Sequence, residues 1–323
     1  MNRRAALGWL AASLLLGPGR AVAQRASPAR VGWLSYLPQP DPAVGLLREG
    51  LRNLGHNEGK SYVLSARYAN NDFTRLPGLV AELVAERLDV LVTRGPSTEF
   101  ATTARATTPV VFAFSGDPVL AGFADSLSKP GRNMTGITFM AMELCAKRVE
   151  FLKELLPGAK RIALLSNPEH AGELLEYRVT EQSAQRLGMT VHRHLVHKPQ
   201  DLAPAFAAIR ASNADATLVF PDSLTLNHRR QIAELALQTK MPCVYGWTEF
   251  VEAGGLMSYG PGLIENFRRL AFFVDRVLKG ASASAIPIEQ PEKISLTINK
   301  AAAAKLGLAV PPALLARVDR VID

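Results

Sequence analysis

Cysteine is nearly absent. Cys145 and Cys243 are the only two in 323 residues, too few for a disulfide framework, so either one bridge or two separate buried thiols is expected. Catalytic signatures are missing too. The chain has no GxGxxG in a strand-to-helix turn, no GxxxxGK(S/T), no HExxH and no GxSxG, which leaves a dinucleotide site, a phosphate loop, a zinc protease and a nucleophile elbow without support. His192, His194 and His197 have no carboxylate or cysteine following at ligand spacing, so they read as solvated histidines and no metal site is expected. The 37 basic residues exceed the 29 acidic ones by a scattered +8, which argues against a nucleic-acid partner. No cofactor is implied.

Long apolar runs are few. The stretch Ala5–Leu16, after Arg3 and Arg4, is about half the ~20 residues that span a bilayer. It is followed by Ala21-Val22-Ala23, the small-x-small pattern of a signal-peptidase site. Residues 1–23 therefore read as a signal peptide, with Gln24 starting the mature chain; Arg3-Arg4 leaves both the ordinary and the twin-arginine route open, and the ordinary one is favoured because paired arginines are common in secretory signals. No cysteine near that site supports a lipid anchor. The expectation is a soluble exported protein, periplasmic in a Gram-negative source, with no stable membrane insertion once the signal is gone.

The remaining chain is near the size at which one core divides into two. From Arg30 onward, strand-like apolar runs alternate with amphipathic stretches, the pattern of α/β units with parallel sheets covered on both faces. Strands are expected at Val31–Tyr36, Tyr62–Tyr68, Val90–Thr93, Val110–Phe114, Ile162–Ser166, Val191–Val196, Thr217–Phe220 and Cys243–Gly246. The alternation pauses after Met134–Met140, so lobes at 24–140 and 141–262 are expected. Residues 263–323 would pack back across both, as a helix with an apolar face of Phe267, Leu270, Ala271, Val274, Val277 and Leu278, ended by Gly280, then an alternating strand in KISLTINK.

Ligands of parallel sheets collect beyond the carboxyl ends of the strands, and those are the places where this sequence puts small polar residues. Gly95-Pro96-Ser97-Thr98, Ser115-Gly116-Asp117-Pro118, Asn167-Pro168 and Asp222-Ser223 all read as helix starts. None includes a lysine. Free N–H groups and hydroxyls at a helix start bind a carboxylate without one, and an aspartate opposite would take an ammonium group. A zwitterion or small polar molecule is the ligand this suggests, although capping alone also accounts for such residues. Tyr36, Phe114, Tyr245 and Trp247 lie beside these junctions, and Trp247, between a strand and the helix start Thr248-Glu249, is the preferred aromatic wall for a flat, apolar side group.

Four stretches, FSGDPVLAGFADSLSKPGRNMTGIT (Phe114–Thr138), LCAKRVEFLKELLPGAKRIALLSNP (Leu144–Pro168), FVEAGGLMSYG (Phe250–Gly260) and VDRVLKGASASAIPIEQPEKISLTINKAAAAKLGL (Val274–Leu308), resemble the substrate-binding proteins of ABC transporters, in the group that includes the tryptophan- and tyrosine-binding proteins of bacteria. The resemblance implies a two-lobed periplasmic-binding-protein fold of the type I, flytrap kind. It further implies a small solute in the inter-lobe cleft, an ABC permease in the inner membrane as partner, and no catalysis. It places the cleft at Ser97, Thr98, Phe114, Ser115, Asp117, Thr138, Asn167, Asp222, Tyr245 and Trp247. Glu99 and Phe100, in a helix normally rich in alanine, and Trp247-Thr248, where the family often has small residues or arginine, depart from its pattern. The rival readings are a secreted α/β hydrolase or transferase using Asp117 or Asp222 with a histidine, and a receptor presenting its ligand to a membrane sensor.

Overall fold

The computed structural model describes residues 27–170 and 172–323; the expected signal peptide lies outside them. Five strands, β1 (Ala29–Ser35), β2 (Tyr62–Tyr68), β3 (Val90–Arg94), β4 (Val110–Phe114) and β5 (Met134–Thr138), form a wholly parallel sheet in the order β2-β1-β3-β4-β5. Every residue of β3, β4 and β5 is buried, as a sheet covered on both faces requires. Helices α1 (Pro42–Asn53), α2 (Leu76–Ala85) and α3 (Ser97–Ala101) connect these strands.

The chain continues through α4 (Ala141–Leu155), β6 (Arg161–Ser166), α5 (Glu173–Arg186), β7 (Thr190–Leu195), α6 (Leu202–Ala211), β8 (Ala216–Val219), α7 (Ser223–Asn227), α8 (Arg229–Gln238), β9 (Cys243–Tyr245), α9 (Thr248–Glu252) and β10 (Met257–Pro261). Then come α10 (Leu263–Leu278), β11 (Ile294–Asn299), α11 (Lys300–Leu306), α12 (Pro312–Leu315) and β12 (Arg320–Ile322). The second sheet runs β12-β11-β10-β9-β8-β6-β7, parallel except where β11 lies against β10. The eight strand runs read from sequence are present within two residues at each end. The pattern does not single out β5, β10 or β12, which are short and polar, interrupted by glycine and proline, or exposed at the sheet edge.

One element changes lobes. Helix α10 follows ten strands, yet it packs on α1 and on β3, β4 and β5 of the first sheet. The face that joins it to α1 sets Phe267, Leu270, Ala271 and Val274 against Val44, Leu47 and Leu51, all buried. Each large apolar side chain so removed from water contributes about 1.5–3 kcal/mol. The close approach depends on Gly50, where a Cβ would stand 2.5 Å from the backbone oxygen of Arg268. Gly280, at φ 93°, ends the helix as the apolar pattern predicts.

The chain passes between the lobes at three places: Thr138 to Ala141, Pro261 to Leu263, and Glu289 to Ile294. The third begins as an added rung on β5, with Glu289 N–H donating to Gly136 O (2.9 Å) and Thr138 N–H donating to Glu289 O (3.0 Å), before the chain enters the second sheet as β11. Three such connections hold the lobes to a hinge rather than a free linker.

Candidate functional site

The carboxyl ends of the two sheets meet. Phe114, at the end of β4, lies against His170 of the opposite lobe with ring centroids 5.9 Å apart. Gly95, just after β3 and at φ 52°, abuts Ser223, where a Cβ would come within 2.4 Å of the hydroxyl oxygen. At the hinge end Phe139 stands edge-on to Trp247 at 6.1 Å and to Phe267 at 5.9 Å. The cavity bordered there by Arg94, Gly95, Ser115, Ser223, Trp247 and Phe267 is about 10 Å³, room for one water at most. The lobes are closed on each other.

Several predicted site residues sit along this seam with polar atoms that have no partner. Asp222 is 2 % exposed. Its Oδ1 caps α7 by accepting Leu224 N–H at 2.7 Å and also accepts the Asn167 amide at 3.1 Å, while Oδ2 accepts nothing. The hydroxyls of Ser97 and Thr98 and the indole N–H of Trp247 are likewise buried and unpartnered. Tyr36 reaches the seam with its hydroxyl already committed to Asn71 O at 3.0 Å. Burial first, then the nearby Asp222 carboxylate, pushes its phenol up to about 12.

Other predicted residues have different work. Thr138 Oγ1 donates to Gly116 O at 2.8 Å and accepts Met140 N–H at 3.3 Å, which fixes the first crossing. Ser115 O accepts Ala141 N–H at 2.9 Å from the far side of that crossing. Tyr245 is held inside the second lobe, stacked on Phe250 at 4.7 Å. Ser97 does not cap its helix; the N-cap position is Pro96. The segment after Asp117 is a turn rather than a helix, with Asp117 Oδ1 accepting Val119 and Leu120 N–H, because Phe123 packs back onto Phe112 and Phe114 and draws the chain into the core. Asn167 likewise heads a turn, its Oδ1 accepting Glu169 N–H at 3.0 Å, and α5 begins only after Gly172.

Sequence reasoning missed Arg94, Phe139, His170 and Glu176. Arg94 Nη1 donates to Asp41 Oδ1 at 2.8 Å, with both side chains buried, and its guanidinium lies over the Phe267 ring at 4.8 Å. His170 Nε2 and Glu176 Oε1 are 2.9 Å apart and fully buried. Burial pulls the His170 imidazolium down, but the charge and hydrogen bond of Glu176 outweigh it and the net direction is up. Only the acidic first turn of α5, Glu173 and Glu176, marks this region in sequence, and it looks like dipole pairing. Among the described residues no group of three histidine, cysteine, aspartate or glutamate side chains is placed to hold a metal ion, and no helix is long and apolar enough to cross a membrane. A wider depression of about 710 Å³ lies at the third crossing, among Glu249, Gly262, Glu289, Lys293 and Arg320.

Two α/β lobes that meet at their strand ends and are tied by three crossings make up a periplasmic-binding-protein fold. The family model described as ABC transporter substrate binding protein matches residues 38–322, and the chain belongs to that family of extracytoplasmic solute-binding proteins of ABC importers. Its structure is similar to that of a conserved domain protein from Vibrio cholerae O1 biovar eltor str. N16961, with TM-score 0.83 and 28 % identity, covering 91 % of this chain and 100 % of that one. It shares the fold of an ABC domain in complex with L-Trp from Streptococcus pneumoniae, with TM-score 0.80 and 24 % identity over 92 % and 100 % of the two chains. A tyrosine-binding protein of Clostridioides difficile (strain R20291) is 22 % identical over 265 residues, 81 % of this chain and 76 % of that protein.

Proposed function

We propose that the chain captures a small polar or zwitterionic solute, with aromatic amino acids among the candidates, between its lobes in the periplasm and delivers it to an ABC permease. The observation that carries this reading is the set of buried, unpartnered polar atoms on both sides of the seam: the Ser97 and Thr98 hydroxyls on one, Asp222 Oδ2 and Trp247 Nε1 on the other. More than nine in ten buried polar groups find a partner in folded proteins, and each one that does not costs about 1–3 kcal/mol. A zwitterion would supply acceptors to the hydroxyls and a donor to Asp222.

Solute enters when the lobes part about the three crossings, and it favours the closed state only by binding that state more tightly. A few charge-assisted hydrogen bonds, at about 1.5–3 kcal/mol each, suffice for micromolar affinity, about 8 kcal/mol, after the costs of ordering. The His170–Glu176 pair is the one feature that favours the hydrolytic alternative. Its Nδ1, however, has no hydroxyl or thiol partner that would serve as a nucleophile. Calorimetry and thermal-shift measurements against the amino acids and small aromatic acids test the capture reading. Micromolar binding without turnover is the expected result, and no heat or shift with any solute would overturn it.

A further inference from the structure

A second hollow opens between the lobes, beside the seam already described. It encloses about 70 Å³ and is bordered by Gly116, Asp117, Leu120 and Ala121 of the first lobe and by Met142, Gly172, Leu175 and Glu176 across from them. A water needs about 10–15 Å³ of such space, so the hollow has room for a small polar head group. Glu176 is 0 % exposed. Its Oε1 is engaged with His170, and its Oε2 has no partner.

The charges around the hollow are mainly negative. Asp117 lines it, and Glu143, one residue before Leu144 on α4, stands close enough that burial first, and then the charges of Asp117 and Glu176, push its carboxyl up. Two cations lie near: His170 is paired with Glu176 Oε1, and Arg148, on α4, donates to Ala141 O and to Tyr259 O while its Nη2 has no partner; neither donates to Glu176 Oε2. Glu173 is satisfied by Ser166 and Arg193 and adds no free acceptor. A buried carboxylate oxygen without a donor is costly, and a cationic group with N–H donors would satisfy it.

We propose that this hollow is a second subsite, in which Glu176, with Asp117, accepts a terminal ammonium group, so that the solutes preferred by the chain carry a cationic head in addition to the one that Asp222 would take. This rests on the capture reading and narrows its solute class to dibasic molecules such as diamino acids.

The test is calorimetry with L-lysine and L-ornithine against the neutral L-norleucine and L-glutamine. L-lysine or L-ornithine should bind at least tenfold more tightly than L-norleucine, and Glu176→Gln should bring that ratio within about threefold of unity. Asp117→Asn, which keeps the turn-forming acceptor, should lower the ratio in the same direction and serves if Glu176→Gln fails to fold. Neutral solutes bound as well as dibasic ones by the natural protein, or a preference that survives both substitutions, would overturn the subsite and leave solute capture standing. No binding by any of the four, nor by aromatic amino acids, would overturn both.

Discussion

Gly95 and Ser223 face each other across the lobes so closely that a Cβ on the glycine would stand 2.4 Å from the serine hydroxyl oxygen and 3.6 Å from its Cβ. The contact exists only when the lobes are together, so it ties one residue's size to the closed state. Gly95→Ala should weaken solute binding tenfold or more. It should also lower stability, since φ 52° costs a side-chain-bearing residue about 1–2 kcal/mol. Adding Ser223→Ala removes the clashing oxygen and should restore binding while leaving the lower melting temperature in place. Normal binding by Gly95→Ala alone would show that the lobes do not close to this distance.

Asp222 holds a helix and offers a free carboxylate oxygen at once, and two substitutions separate these roles. Asp222→Asn keeps an acceptor for Leu224 N–H and should melt near the natural protein while binding a zwitterion at least tenfold more weakly. Asp222→Ala should lose binding and, with the cap gone, about 1 kcal/mol of stability as well. Equal affinity in Asp222→Asn, read by calorimetry, would remove the residue from the site.

The Arg94–Asp41 pair is buried on both sides, so removing one member leaves an uncompensated charge. Arg94→Met should destabilise by about 3–5 kcal/mol in urea titrations. Arg94→Met with Asp41→Asn, which keeps the cap on Ala43 N–H and abolishes the stranded charge, should recover a large part of that loss. A double variant no better than the single one would show that the cation–ring contact with Phe267, rather than the charge, matters most.

Asp275 gives the packing of α10 on the first lobe a pH dependence. Burial alone would raise its carboxyl, but hydrogen bonds from Lys279 and His56 prevail and hold it below the ordinary carboxylate range. A depressed carboxyl contributes stability that is present above its unfolded value, roughly pH 4, and is lost as pH falls through the folded value. Thermal melts of Asp275→Asn should therefore differ from the natural protein most at neutral pH and converge with it toward pH 3. An equal gap at both pH values would assign the effect to packing.

The strands were legible because each central one is a nearly unbroken apolar run between turn residues, and α10 because its apolar positions recur every three or four residues. A return of this segment across the lobes was expected, but its particular partners were not legible. Nothing in Phe267, Leu270 and Val274 says that their helix covers β3, β4 and β5, completed more than a hundred residues earlier, because periodicity marks a face without naming what covers it. The same limit governs the seam. Asp222 and Asn167 announce themselves as turn and cap residues, whereas Glu176 sits mid-pattern in an acidic helix turn and becomes a buried wall of the hollow only when two lobes meet.

Cys145 and Cys243 are separate, buried and free, which settles between the alternatives left by the sequence. Burial pushes each thiol up to about 12, and a protonated, enclosed thiol is unreactive. Thiol reagents should label neither cysteine in the native protein and both after unfolding, with a melting temperature indifferent to reductant. Rapid native labelling would show that one of them is open to solvent.

Because α10 returns to cover β3, β4 and β5, the first lobe is discontinuous along the chain. A ribosome completes its five strands long before it makes the helix that shields them, and the nascent segment waits with an apolar face open to chaperones. A gene fragment stopped after residue 140 should yield aggregate rather than half a binding protein, whereas a fragment that reattaches residues 263–280 through a short spacer has what it needs to stand alone.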